Sequence, residues 1–353
     1  MNYEQLLASL INQVIAQGAS DLHLTVGSRP IIRVSGVLIP FFSETKLTNE
    51  DVKGLLERMV PPDRMQKFLE TQEMDFSFSY GNQARFRGNA FFERGTIGVA
   101  LRFIPKVIKT IGELNLPQSL EQFAALQHGF FLVVGPVGQG KSTTLASLIE
   151  KINTERTEHI ITIEDPIEYL FENKKSIIDQ REVHLDTPSF ESALESMFRQ
   201  DVDVLMIGEM RTPETIATAV TAAETGHLVL STLHTNNASQ TIDRIIDSFP
   251  ATQQDQIRIQ LAGSLAGIFS QRLIPRISGG LIVAYELLIN TKAVANLIRE
   301  KRTPEIDAII ETSSQEGMVD INRSLADLVR AGEITAENAY AQSWNPKNLE
   351  RLL

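Results

Sequence analysis

Cysteine is absent from the 353-residue chain. Disulfides and thiolate-bound zinc are therefore excluded, and a reducing compartment suits the chain. A basic excess is also absent: 33 Lys and Arg against 44 Asp and Glu give a formal net charge of −11. Proteins whose main task is binding nucleic acid usually carry the opposite balance. No apolar run reaches the roughly 18 residues of a membrane span. Met1-Asn2-Tyr3-Glu4-Gln5 lacks the basic segment and apolar core of a signal peptide. Internal repeats and low-complexity segments are missing too. The expectation is a cytoplasmic protein. What remains is ordinary for a globular chain, 42% hydrophobic and 22% charged, with a length that suits two domains.

Two patterns of periodicity divide the chain. Residues 3–17 carry Leu6, Leu7, Leu10, Ile11, Val14 and Ile15 at helical spacing. Alternating or β-rich stretches follow at 21–26, at 30–40 with a hairpin turn near Ser35-Gly36, at 75–80, at 84–92 after a turn at Gly81-Asn82, and at 98–104. Helices are predicted from Thr48 to about Met59 and from Pro62 to Thr71. This reads as an α+β, sensor-like domain over residues 1–105 with an antiparallel sheet. Residues 106–120 read as a linker. From Gly129 strands alternate with helices, the signature of a mainly parallel α/β sheet, and residues 121–353 read as an α/β domain with a helical tail. Its predicted strands are 130–134, 159–164, 204–208 and 228–233, with one more strand or hairpin in 279–288. Its helices are 141–153, 189–199, 212–224, 238–247 and 252–268.

At the first of those strand-to-helix turns stands Gly135–Ser142, GPVGQGKS, which matches G-x-x-x-x-G-K-[ST] at every fixed position. Gly135, Gly138 and Gly140 let the backbone approach a polyphosphate. Free N–H groups at the helix start and the helix dipole favour the anion. Lys141 has the reach for the β- and γ-phosphates, and the Ser142 hydroxyl suits Mg²⁺. The cofactor candidates are ATP and Mg²⁺. The nucleotide-binding candidates are Gly135, Pro136, Val137, Gly138, Gln139, Gly140, Lys141, Ser142 and Thr143.

A nucleotide in a parallel sheet sits at the carboxyl ends of the strands. One predicted strand there ends in Thr162-Ile163-Glu164-Asp165-Pro166-Ile167-Glu168. Such a cluster of carboxylates beside a polyphosphate makes sense only if a metal or a water needs it. The strand 204–208 delivers Glu209, in the manner of a Walker B segment, making Glu209 and Ser142 the metal candidates. The strand 228–233 delivers His234. Each has a bland alternative: a helix cap for Glu209, a solvated acid for Glu168, a satisfied structural histidine for His234. Three polar groups at successive strand ends behind a complete phosphate loop favour function.

TIEDPIE, GEMR and TLHT resemble the Asp box, Walker B segment and His box of the secretion-type ATPases of type II secretion and type IV pili. Within them the chain is most similar to the pilus retraction ATPases, the PilT-like twitching-motility proteins. GASDLHLTVGSRPIIRVSG, KKSIIDQREVHLDT, TAAETGHLVLSTLHT, TIDRIIDSFP and ANLIRE carry the likeness. The absent tetracysteine insertion favours retraction over assembly. Val137 and Gln139 replace Thr and Ser at variable loop positions, Thr212 stands where Asp is usual, and Ala295 replaces an arginine that the family links to retraction.

The resemblance implies an N-terminal PAS-like domain followed by a RecA-like ATPase domain, in a homohexameric motor that hydrolyses ATP to drive pilus retraction. It would sit at the inner face of the cell membrane and act on an inner-membrane platform protein, with a paralogous retraction ATPase as a further partner. Glu168 would be the general base or a water-orienting group, Glu209 a metal ligand through water, and His234 a γ-phosphate sensor. An arginine finger is expected from Arg85, Arg87 or Arg102. Alternation puts Arg85 and Arg87 on one strand face, although an ordinary solvated face explains them equally well; Arg244 is a weaker interface candidate. Open alternatives are an accessory PilU-like ATPase, an assembly or secretion ATPase, a RecA-like helicase or DNA translocase, and a nucleotide switch without turnover.

Overall fold

The structure, a computed structural model, describes residues 2–34, 36–41, 43–81, 83–104 and 107–353. Ser35, Asn82 and Pro105, assigned above to a hairpin turn, a second turn and the end of the first domain, lie outside the described residues, as does Lys106 at the head of the linker. Two units emerge from the packing. One comprises Met1–Val107 with Pro166–Leu170, the other Ile108–Asp165 with Phe171–Leu353.

The first unit starts with α1 (Tyr3–Ala16), which buries Leu7, Leu10, Ile11 and Val14 as its periodicity requires. β1 (Asp21–Thr25), β2 (Ile31–Val34) and β3 (Val37–Pro40) follow. Next come α2 (Asn49–Leu56), opened by a capping box between Thr48 and Asp51, and α3 (Pro62–Thr71). β4 (Glu73–Tyr80), β5 (Ala84–Glu93) and β6 (Thr96–Ile104) complete a six-stranded sheet in the order β3-β2-β1-β6-β5-β4. Its pairings are antiparallel, as expected from the sequence. On β5, Ala84, Phe86, Gly88 and Ala90 are buried, which leaves Arg85 and Arg87 together on the other face. The register aligns Arg33, Asp21, Arg102 and Arg87 in one row across four strands.

The second unit runs α4 (Glu121–Ala124), β7 (Gly129–Val134), α5 (Lys141–Glu155), β8 (His159–Glu164), β9 (Ile177–Glu182), α6 (Phe190–Met197), β10 (Val204–Ile207), α7 (Pro213–Glu224), β11 (Leu228–Leu233), α8 (Ala238–Asp247), α9 (Ala251–Ser264), β12 (Leu265–Pro275) and β13 (Leu281–Ile289). The tail is helical: α10 (Lys292–Arg299), α11 (Ile306–Thr312), α12 (Ile321–Arg330), α13 (Ala336–Gln342) and α14 (Pro346–Leu352). Seven strands form one sheet, β13-β12-β7-β11-β10-β8-β9, parallel except for the β12–β13 pair. β7 and β11 are buried on both faces, the pattern of strands inside a helix-covered parallel sheet. Phe130, Leu132 and Val134 pack with α6 to α10, while Phe131 and Val133 pack with α4 and α5.

Two departures from the expected elements bear on the site. The helix predicted over 252–268 stops at Ser264, and Leu265 onward is β12. An unbroken apolar run fits either state, and the deciding partner, β7, lies more than a hundred residues earlier. At Gly267 a Cβ would stand 2.7 Å from the Leu288 carbonyl and from the Phe123 ring, so only glycine fits between β13 and α4. β9 was not predicted either. It is a polar edge strand, IIDQRE, held by its pairing with β8.

Candidate functional site

The phosphate loop connects β7 to α5 as its sequence requires. Gly138 and Gly140 have φ of 78° and 81°, and Gly140 caps α5 in the left-handed conformation. Gly135 is needed for space as well: a Cβ there would stand 2.6 Å from the Gln271 carbonyl on β12. Val137 is 80% exposed at the loop tip. Ser142 is exposed in the first turn of α5, and Thr143 beside it is half-buried.

Lys141 is buried, and its Nζ donates to the Gly135 and Pro136 carbonyls, both at 2.9 Å. The same Nζ lies 3.2 Å from His234 Nδ1. An ammonium has only donors, so Nδ1 is the acceptor and the network assigns the imidazole proton to Nε2. Nε2 lies 3.3 Å from Glu209 Oε2. The other Glu209 oxygen accepts from Arg211, whose guanidinium also stands 3.8 Å from Asp165. A continuous polar chain thus runs from the phosphate loop through two strand ends. Burial pushes the Glu209 carboxyl up, but Arg211 and then His234 outweigh it and hold it below its ordinary value. Of the residues predicted from sequence, the structure places Lys141, His234 and Glu209 in one hydrogen-bonded chain, and Glu168 outside it. Arg211 lies within GEMR, but the sequence assigns it no task.

The acid box is divided. Glu164 is buried at the end of β8, accepting from the Thr162 hydroxyl at 2.7 Å and from Gln180 Nε2 at 3.3 Å. Asp165 faces Arg211. Pro166–Leu170 belongs to the first unit, and there Glu168 meets Arg87 at 3.4 Å. Arg85 Nε donates to the Ile167 carbonyl and its Nη1 to Ser79. Arg102 pairs instead with Asp21 at 3.0 Å. Arg244 is exposed on α8.

Thr212, noted above for replacing Asp, caps α7 by accepting from Thr215 N–H. Its hydroxyl also bonds Glu191, which a carboxylate at that position could not do.

No group of three or more His, Cys, Asp or Glu able to hold a metal occurs among the described residues. Mg²⁺ in phosphate sites usually takes one or two protein oxygens, with phosphates and waters supplying the rest. The Ser142 hydroxyl and Glu209 carboxylate are donors of that kind, and the donor set fits the ion.

The family model for type II/IV secretion system proteins matches residues 2–280. The type IV pilus retraction ATPase PilT of Pseudomonas aeruginosa is 43% identical over 332 residues, spanning 94% of this chain and 96% of that protein. The type IV pilus ATPase PilU of the same organism is 40% identical over all of this chain and 91% of its own length. A crystal structure of the pilus retraction motor PilT with bound ADP superposes with a TM-score of 0.90. It shares 46% identity and covers 97% of this chain and 98% of its own.

Proposed function

Since the chain belongs to the type II/IV secretion system protein family, we propose that it is a Mg²⁺-dependent motor ATPase that drives type IV pilus retraction. The observation that carries this reading is the linked Lys141, His234 and Glu209 behind a complete phosphate loop. The near full-length likeness to the pilus retraction ATPase supports the choice of task. Lys141 and the loop N–H groups hold the β- and γ-phosphates. Glu209 and Ser142 hold the metal, which supplies charge neutralisation for phosphoryl transfer to water. His234 reads the γ-phosphate and passes its presence to Glu209. Glu168 orients or deprotonates the attacking water, and Arg85, Arg87 or Arg102 supplies the finger that balances transition-state charge.

The motor is a homohexamer of subunits with a PAS-like first domain, cytoplasmic, and peripheral to the membrane only through an inner-membrane platform protein. No helix among the described residues is long and apolar enough to cross a membrane. Deleting the gene and complementing with Lys141→Ala tests the reading. Hyperpiliated cells that do not twitch are the expected result; bald cells would point to assembly instead.

One observation favours a second reading, an accessory ATPase that assists a paralogue. Identity to the PilU protein is nearly that to PilT, and Ala295, at the position of the expected arginine, is 7% exposed within the apolar core. If cells lacking this gene still twitch and lose retraction only when a paralogue is also removed, the accessory role stands.

A further inference from the structure

Behind the phosphate loop two glutamines interlock. Gln271 on β12 is 1% exposed. Its Oε1 accepts from the Thr144 hydroxyl on α5 at 2.8 Å, and its Nε2 donates to the Gln139 carbonyl at 2.5 Å. Gln139 answers with its own side chain, whose Oε1 accepts from the Leu273 N–H at 2.6 Å. The loop is pressed against the same strand, with Gly135 over the Gln271 carbonyl and Gly140 beside its amide. These side-chain contacts come in addition to the pairing of β12 with β7, which runs from Phe130 to Val134 with one register shift between Leu265 and Gly267.

Peptide planarity gives the clasp a consequence for binding. In a trans peptide the carbonyl and the following N–H point in opposite directions. Pinning the Gln139 carbonyl to β12 therefore directs the Gly140 N–H away from β12. Phosphate loops hold anions through such N–H groups. A glycine-rich loop left to itself populates other peptide orientations at little cost.

We propose that Gln271, together with Gln139, is a positioning residue that fixes the Gln139–Gly140 peptide in the orientation that holds a nucleoside diphosphate. This rests on reading the loop as a nucleotide anchor. The Gln139 carbonyl can only accept, so it holds Nε2, rather than Oε1, towards the loop, and Oε1 is left to accept from Thr144. The clasp acts on retention of the diphosphate, with the γ-phosphate chemistry left to Glu209 and His234.

The test uses the full chain with Mg²⁺ and a fluorescent ADP analogue, in equilibrium titration and in stopped-flow release, beside ATP turnover and melting of the nucleotide-free protein. Gln139→Ala, at a half-buried position, is expected to melt as wild type does. It should raise the ADP dissociation constant roughly tenfold through faster release, the worth of one or two net hydrogen bonds. Gln271→Leu should do the same, and the double variant should be no weaker than the stronger single one, since one clasp is broken in both. Turnover at saturating ATP should fall less than affinity does. The proposal fails if Gln139→Ala binds within about twofold of wild type, or if the two effects multiply in the double variant. A Gln271→Leu protein that does not fold leaves the decision to Gln139→Ala. Wild-type protein that binds ADP without turning over ATP removes the hydrolysis reading, and the affinity ratios then decide the clasp by themselves. Wild type that binds no nucleotide overturns both.

Discussion

Glu209 has both carboxylate oxygens engaged, one by Arg211 and one by His234. Glu209→Gln keeps the size of the side chain and loses the charge. Its expected effect is a loss of turnover on the order of a hundredfold with ADP affinity nearly unchanged, measured by steady-state hydrolysis and titration. A parallel loss of both would mean that the residue supports the fold instead. A second acid, Glu286 on β13, sits outside this network. It is buried and accepts the Ala238 N–H at 2.8 Å. Burial pushes its carboxyl up to about 8, helped by Asp307 and Asp320 and opposed by that hydrogen bond and by Arg272. The sign follows directly: an acid whose folded value exceeds its unfolded one contributes stability fully present below the unfolded value. That contribution is lost as pH rises towards 8. Glu286→Gln removes the loss, because the amide oxygen still accepts from Ala238. The variant should gain stability over wild type between about pH 5 and pH 8, by a few kcal/mol at the upper end, and melting curves across that range check it.

At the scale of elements, α7 is the clearest case of a local substitution with a tertiary reason. Thr212→Ala should cost about 1 kcal/mol as a lost cap. Thr212→Asp restores the cap but sets a carboxylate against Glu191, which its own backbone N–H and the hydroxyls around it hold below its ordinary value. Asp should therefore be no better than Ala here, by urea denaturation; an Asp variant as stable as Thr would remove this account. Elements with their own punctuation were legible from the sequence alone. α3 and α8 begin and end where predicted, as do β8 and β11. Lys141, Glu209 and His234 were legible because each ends or follows a strand in a parallel sheet, where topology dictates convergence. Gln271 was not, since it lies on β12, a strand hidden in a run that reads equally as helix. Arg211 was within view, but nothing in GEMR says which carboxylate the guanidinium turns to. The assignment of Glu168 to the first unit was also out of reach. Sequence order puts it beside Glu164, and only packing takes it elsewhere.

For the whole molecule, the reading as a ring motor makes a prediction independent of catalysis. The purified chain should sediment as a species of about six subunits, shifted towards the ring by ATP analogue and Mg²⁺, since ligands that bind the assembled form stabilise it by mass action. Lys141→Ala should lose that nucleotide response. Sedimentation velocity with and without nucleotide tests the assembly of wild type and variant. A monomer under all conditions would leave the nucleotide chemistry intact and remove the motor.

The excursion of Pro166–Leu170 into the first unit has a mechanical meaning. The backbone passes from one unit to the other after Val107, after Asp165 and after Leu170. Two bodies joined by a single strand of chain swivel freely about that joint. Here the backbone joins them at three places rather than one. One of those tethers leaves directly from Asp165, which faces the arginine that grips Glu209. That tether therefore ties the first unit by covalent bonds directly to the residue that faces Arg211.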